Sequence, residues 1–78
     1  MTPASVRAQL AVIATEQLGW HRALPEGRLA DALDSMERLA LVVAIEDAFG
    51  IAFTPEDDET VHTVDDLVSK ILERASGG

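Results

Sequence analysis

The sequence predicts an all-α fold: a small four-helix bundle of three main helices and one short third helix, with a long loop between helices one and two. Composition is the first indication, because 47% of the residues are apolar but only 4% are aromatic, and the apolar set is rich in Ala. Apolar spacings of three and four residues are the second. The chain has 78 residues and no cysteine, so we expect one domain over residues 1–78 that is stabilised by a compact core without disulfides.

The first helix is predicted to begin at Pro3, because Thr2 is a good N-cap and Pro is favoured in the first helical turn. Its apolar residues form one face: Val6, Leu10, Ile13, Ala14 and Leu18. Gly19 is a natural stop. Residues 19–33 form the long loop, and three leucines are expected to hold it against the core: Leu24, Leu29 and Leu33.

The second helix is predicted to begin at Asp34 or Ser35 and to run to Phe49, where Gly50 closes it. Asp34 with Glu37 three residues later resembles a capping box, in which each side chain accepts a backbone N–H of the other residue.

Two further helix starts follow. Thr54 and Pro55 predict a helix of only a turn or two. Thr63 with Asp66 predicts the start of the last helix, whose apolar residues share one face: Val64, Leu67, Val68, Ile71, Leu72 and Ala75.

The net charge is −8, and it is concentrated in the middle of the chain. Residues 34–59 hold eight acids against one Arg, a net charge of −7. This charge disfavours binding to nucleic acid or to a membrane surface, and it indicates either basic protein partners or an acidic surface kept for solubility. No apolar run is long enough for a membrane span, and no secretory signal begins the chain, so a cytoplasmic location is expected.

The second helix carries two apolar surfaces. One is an ordinary core stripe: Leu41, Val42, Ile45, Ala48 and Phe49. The other consists of Met36, Ala40, Val43 and Ala44, and Glu37 and Asp47 lie at its edges. This second surface predicts either a docking site for a partner protein or a helix buried on both sides by the long loop and the short helix.

Ser35 lies at the start of this helix, where unpaired N–H groups and the helix dipole would accommodate a phosphate. On its own, such a serine is more often a cap. However, residues 34–51 read DSMERLALVVAIEDAFGI, an Asp-Ser start, an apolar helix, a Glu-containing turn and a Phe-Gly-Ile exit. With the first helix, the long loop, the short acidic helix and residues 63–67 (TVDDL), this pattern resembles acyl carrier proteins over the whole chain.

The resemblance implies a carrier and not an enzyme. Ser35 matches the serine to which a phosphopantetheinyl transferase attaches 4′-phosphopantetheine from coenzyme A in an Mg²⁺-dependent step, and Asp34 matches its acidic neighbour. The thiol of the arm then carries acyl groups as thioesters. Residues of the partner-recognition helix match Met36, Glu37, Ala40, Val43, Ala44, Glu46 and Asp47. Implied partners are the transferase and acyl-loading or acyl-using enzymes with basic docking surfaces, and a monomer is expected.

Two departures point away from housekeeping fatty-acid synthesis and towards a dedicated polyketide or other specialised pathway. Ala40 stands where fatty-acid carriers commonly have an acid, and Arg38 places a cation within one turn of Ser35. The alternative function is a non-carrier adaptor that binds a partner through helix two. An enzyme is disfavoured because His21 and His62 are the only histidines and neither has a nucleophile beside it. The acidic run 56–59 lacks the spacing of a calcium loop, so no metal site is expected.

Overall fold

The computed structural model describes residues 1–76 and contains five helices within that range. They are α1 (Pro3–Glu16), α2 (Leu29–Ala32), α3 (Ser35–Phe49), α4 (Pro55–Thr60) and α5 (Val64–Ser76). The all-α class is confirmed, and so are the three main helices and the short acidic one. Gly77 and Gly78, the end of the predicted domain, lie outside the described residues.

The predicted count of four helices was too low, because the long loop contains α2. This single turn begins at Leu29, and its N-cap residue Arg28 makes no side-chain capping bond, so the sequence carries no local start signal. A long-range contact holds it instead: the Leu29 N–H donates to the carbonyl of His62 at 2.7 Å, and the Leu29 side chain is only 1% exposed.

Local capping fixes where the other helices begin, as predicted. Capping boxes start α1, α3 and α4, and the pairs are Thr2 with Ser5, Asp34 with Glu37, and Thr54 with Asp57. At α5, the Thr63 hydroxyl accepts the Asp66 N–H at 3.1 Å, and the Asp66 carboxylate accepts the Thr63 N–H at 3.2 Å. Helix α1 ends at Glu16, two residues before the predicted end. Helix α3 ends at Phe49 as predicted, and Gly50 caps it with φ +64°.

The core lies where α1 packs against α5 and α3. It is built from the predicted faces of the helices together with loop residues, and its buried apolar members are Val6, Leu10, Ile13, Leu29, Leu33, Leu41, Ala44, Ile45, Val61, Val64, Leu67, Val68 and Ile71. All but Ala44 are Leu, Ile or Val, each worth about 1.5–3 kcal/mol when fully buried. Helix α4 has only six residues and no apolar face of its own, so polar contacts fix its position.

Asp57 is the anchor that joins α4 to α5. Its side chain is 5% exposed, and its carboxylate accepts the Thr54 N–H at 2.9 Å and the Arg74 guanidinium at 2.6 and 2.8 Å. Lys70 Nζ lies 3.4 Å from the same carboxylate. The hydrogen bond from the Thr54 backbone, followed by the contact with Arg74, holds the pKa of Asp57 well below its usual range.

Candidate functional site

Ser35 is the first residue of α3, and its side chain is exposed. The capping position belongs to its neighbour: the Asp34 carboxylate accepts the Glu37 N–H at 2.8 Å, and the Glu37 carboxylate accepts the Asp34 N–H at 3.2 Å. Across residues 1–76 no hydrogen bond involves the Ser35 hydroxyl. The serine is therefore not a cap, and its hydroxyl is accessible for chemistry.

The surroundings of Ser35 fit a phosphate. Like every α-helix, α3 leaves the N–H groups of its first turn without intrahelical partners, and the Ser35 and Met36 N–H groups are not used by the capping box. The 15-residue helix directs its positive dipole end to this point. These features suit an anionic group on the Ser35 oxygen, which is what a phosphodiester to phosphopantetheine would place there.

The long loop is fixed beside the same helix start by Arg22. Its guanidinium donates to the Glu37 carboxylate at 2.9 Å and lies 4.8 Å from the centroid of the Trp20 ring. Glu37 therefore serves in both the capping box and this ion pair, so it is a structural residue as well as part of the predicted partner face.

One side of α3 exposes large apolar side chains. Met36 is 81% exposed, Leu39 63% and Val43 49%. They lie along an open groove of about 460 Å³ between the end of α1 and α3, together with Gln17, Leu18, Ala40, Ala44 and Asp47. Apolar residues this large on a surface are typical of a contact with another molecule.

Leu39 was missing from the predicted face, although a signal was present. It stands three residues after Met36 and four before Val43, the spacing of neighbours on one side of a helix. Two alanines of α3 also have the opposite exposure to the one predicted. Ala44 is 7% exposed and belongs to the core, whereas Ala48, which was predicted in the core stripe, is exposed.

The acidic residues of the predicted partner face have different surroundings. Asp47 is exposed, lines the groove and forms no ion pair with any other residue of the described chain. The Glu46 carboxylate instead accepts the Phe53 N–H at 2.8 Å, which ties α3 to the segment before α4. Asp47 is thus the acid of this face that is open to a partner.

Arg38 does not direct its charge to Ser35. Its guanidinium donates to the carbonyl oxygens of Asp58 at 2.8 Å and Val61 at 2.9 Å, at the end of α4. These carbonyls belong to the last turn of α4 and its C-cap, where acceptors lack helical partners and a cation is favourable.

Residues 1–76 contain no group of three or more His, Asp or Glu side chains placed to hold a metal ion. None of their helices has the length and apolar character needed to cross a membrane.

Comparison with known proteins gives three matches that cover most of the chain. A family model described as "Phosphopantetheine attachment site" matches residues 8–71. An acyl carrier protein of Syntrophobacter fumaroxidans is 34% identical over 71 residues, which cover 86% of this chain and 88% of that protein. A crystal structure of an acyl carrier protein from Thermotoga maritima superposes with a TM-score of 0.80 at 22% identity, over 96% of this chain and 92% of that one.

The fold and the site therefore define a carrier of covalently attached intermediates. The chain belongs to the phosphopantetheine-attachment family of acyl carrier proteins, whose members are carriers and not enzymes. The resemblance inferred from the ordered set of motifs along the chain is confirmed, and so is phosphopantetheine as the cofactor.

Proposed function

We propose that Ser35 holds the phosphopantetheine arm and that the chain presents thioester-linked acyl groups to partner enzymes along the exposed side of α3. The observation that carries this proposal is that Asp34, and not Ser35, caps the start of α3. Asp34 caps α3, so the exposed Ser35 hydroxyl makes no hydrogen bond within the described chain.

Attachment needs only an accessible hydroxyl on this chain. The Ser35 oxygen forms a bond to the phosphorus that carries the pantetheine. The phosphoanhydride bond of coenzyme A breaks, adenosine 3′,5′-bisphosphate leaves, and the hydroxyl proton passes to a base supplied by the transferase or by water. Once attached, the arm supplies a thiol that forms thioesters with acyl groups. The Ser35 and Met36 N–H groups, which the capping box does not use, would hold the phosphate end of the arm.

Intact mass spectrometry tests the attachment. The protein is incubated with coenzyme A, Mg²⁺ and a broad-specificity phosphopantetheinyl transferase. We expect a gain of one phosphopantetheine group for the wild type and for Ser69→Ala, a matched control at an exposed serine of α5, and no gain for Ser35→Ala. A gain that persists in Ser35→Ala would refute the site. No gain in folded wild type with several transferases would favour the adaptor function instead.

For the partner surface, we propose the groove beside Met36, Leu39 and Val43, and a basic partner such as the transferase. Two features support it. The exposed apolar side chains supply contact area, and the exposed Asp47 carboxylate in the groove would attract a basic enzyme.

Asp47→Lys tests this surface better than Glu37→Lys, because reversing Glu37 also breaks the capping box and the pair with Arg22. We expect Asp47→Lys to lower kcat/KM of the transferase several-fold, with a difference from wild type that shrinks as salt rises. Glu26→Lys is the matched control, an equal charge reversal at an exposed loop position. Equal rates for both variants and the wild type would contradict the assignment of this face.

We also propose a dedicated polyketide or other specialised pathway over housekeeping fatty-acid synthesis. Ala40 supports it, since this residue is exposed in the groove and leaves the docking surface without an acid at that position. The test offers the loaded protein to fatty-acid elongating enzymes, where we expect slow turnover that Ala40→Asp increases. Fast turnover of the wild type would refute this proposal. A cytoplasmic location and a monomeric state stay predictions from the sequence.

A further inference from the structure

A small apolar cavity lies between α3 and α4. Its apolar lining consists of Leu29, Leu41, Val42, Phe53, Val61 and Leu67, and Arg38 lies along its wall. The cavity volume is about 10 Å³, which is the space needed for roughly one water molecule. In this form the cavity itself has no room for an acyl chain.

The cavity lies on the Ser35 side of α3. Arg38, Leu41 and Val42 stand three, six and seven residues after Ser35, and these spacings place them on one side of the helix. Arg38 is the lining residue one turn from Ser35, so cargo carried by an arm on Ser35 would reach the cavity at Arg38.

Arg38 also determines how close α4 lies to α3. Its two hydrogen bonds, at 2.8 and 2.9 Å, join α3 to the carbonyls of Asp58 and Val61. On the opposite side, the buried Asp57 joins α4 to Arg74 of α5. With six residues, α4 depends on these contacts for its position, and moving the end of α4 away from α3 requires that the bonds from Arg38 break.

We infer that Arg38 is a specificity-determining residue: by fastening the end of α4 to α3 it keeps this cavity closed, so that aliphatic cargo on the arm stays outside the bundle. The inference rests on the attachment proposed for Ser35. The chemistry it selects is an acyl group that tolerates water, such as a short or oxygenated chain, over a long saturated one.

The first test needs no arm. Unmodified proteins are titrated with 1-octanol, a neutral apolar probe, and the methyl NMR signals of Leu41, Val42 and Leu67 are followed. We expect no saturable shifts for the wild type and saturable shifts for Arg38→Met, which keeps an unbranched side chain but has no donor. Arg28→Met is the matched control, because Arg28 makes no capping bond on the exposed loop, and it should behave as the wild type.

Two results would overturn the inference: saturable binding to the wild type, or no binding to a folded Arg38→Met. If Arg38→Met does not fold, Arg38→Gln replaces it. This side chain keeps N–H donors but is too short to reach both carbonyls, so it should also admit the probe.

The second test uses the octanoyl-phosphopantetheine form, prepared by transfer from octanoyl coenzyme A, and compares its Tm with that of the same protein carrying the arm alone. We expect no difference for the wild type and an increase of about 5 °C or more for Arg38→Met, because the chain becomes buried. An equal increase in the wild type would refute the inference. If mass spectrometry shows no attachment to Ser35, the proposed function fails, and the octanol titration still decides the role of Arg38.

Discussion

Asp34 has two separable roles in this structure, and substitutions at this residue separate them. Its carboxylate caps α3 by accepting the Glu37 N–H at 2.8 Å, and it is an exposed negative charge beside Ser35. Asn keeps an oxygen acceptor and removes the charge, whereas Ala removes both.

The expected magnitudes follow from these two roles. Loss of an N-cap costs about 0.5–2 kcal/mol, and loss of a carboxylate at a helix N-terminus costs about 0.3–1 kcal/mol. Asp34→Ala should therefore lower the free energy of unfolding by about 1–2 kcal/mol, and Asp34→Asn by less than about 1 kcal/mol. Urea denaturation followed by circular dichroism measures both, and the slope with denaturant should not change.

The rate of phosphopantetheine attachment gives the second readout. If the transferase recognises the charge beside Ser35, phosphopantetheine should be attached to Asp34→Asn more slowly than to the wild type, although the variant is nearly as stable. The cap assignment is wrong if Asn destabilises as much as Ala. The role of the charge is wrong if folded Asp34→Asn is attached at the wild-type rate.

Three further predictions concern backbone conformation, burial and pH. Gly50 has φ +64° and open space where a side chain would lie, so Gly50→Ala should lower the free energy of unfolding by about 1–2 kcal/mol. Gly27 also faces open space but does not have a positive φ, so Gly27→Ala should not lower it. Chemical denaturation measures both. Ala44→Asp should lower it by more than about 2 kcal/mol and Ala40→Asp hardly at all, because only Ala44 is buried; comparable losses would contradict this. Folding lowers the pKa of Asp57 below its ordinary value of 3.8. The Asp57 carboxylate therefore stabilises the fold fully above pH 3.8, and this stabilisation is lost as the pH falls below that value. Asp57→Asn should be less stable at neutral pH and show a shallower acid transition, and an unchanged acid transition would show that other groups control it.

The helix starts could be predicted because their cause is local. Each capping pair spans three residues, as with Asp34 and Glu37 or Thr63 and Asp66, and the same residues that carry the signal make the hydrogen bonds. The position of Ser35 at the helix start followed from these local rules, whereas the attachment role proposed for it rests on the order of motifs along the chain. The stop at Gly50 was equally local.

Features that depend on distant residues were not predicted. Helix α2 is held by a bond from Leu29 to His62, 33 positions away in the sequence. Arg38 meets carbonyls 20 and 23 residues further on. A helical wheel describes one helix alone, so it assigned Ala44 to the surface and Ala48 to the core, but the packing of α1 beside α3 reverses them.

Ser35 stands between two unlike apolar sides of α3, and the attachment proposed at Ser35 would place cargo between them. On one side is an open groove of about 460 Å³ that ends at Asp47; on the other is a cavity of about 10 Å³ that Arg38 keeps closed. A partner that covers the groove gains apolar contact area without disturbing the core, because Met36, Leu39 and Val43 are already exposed. Moving the end of α4 away from this cavity breaks two hydrogen bonds of Arg38. The roles proposed for Ser35, the groove and Arg38 together imply that cargo is handed to a docked enzyme and is not stored inside the bundle.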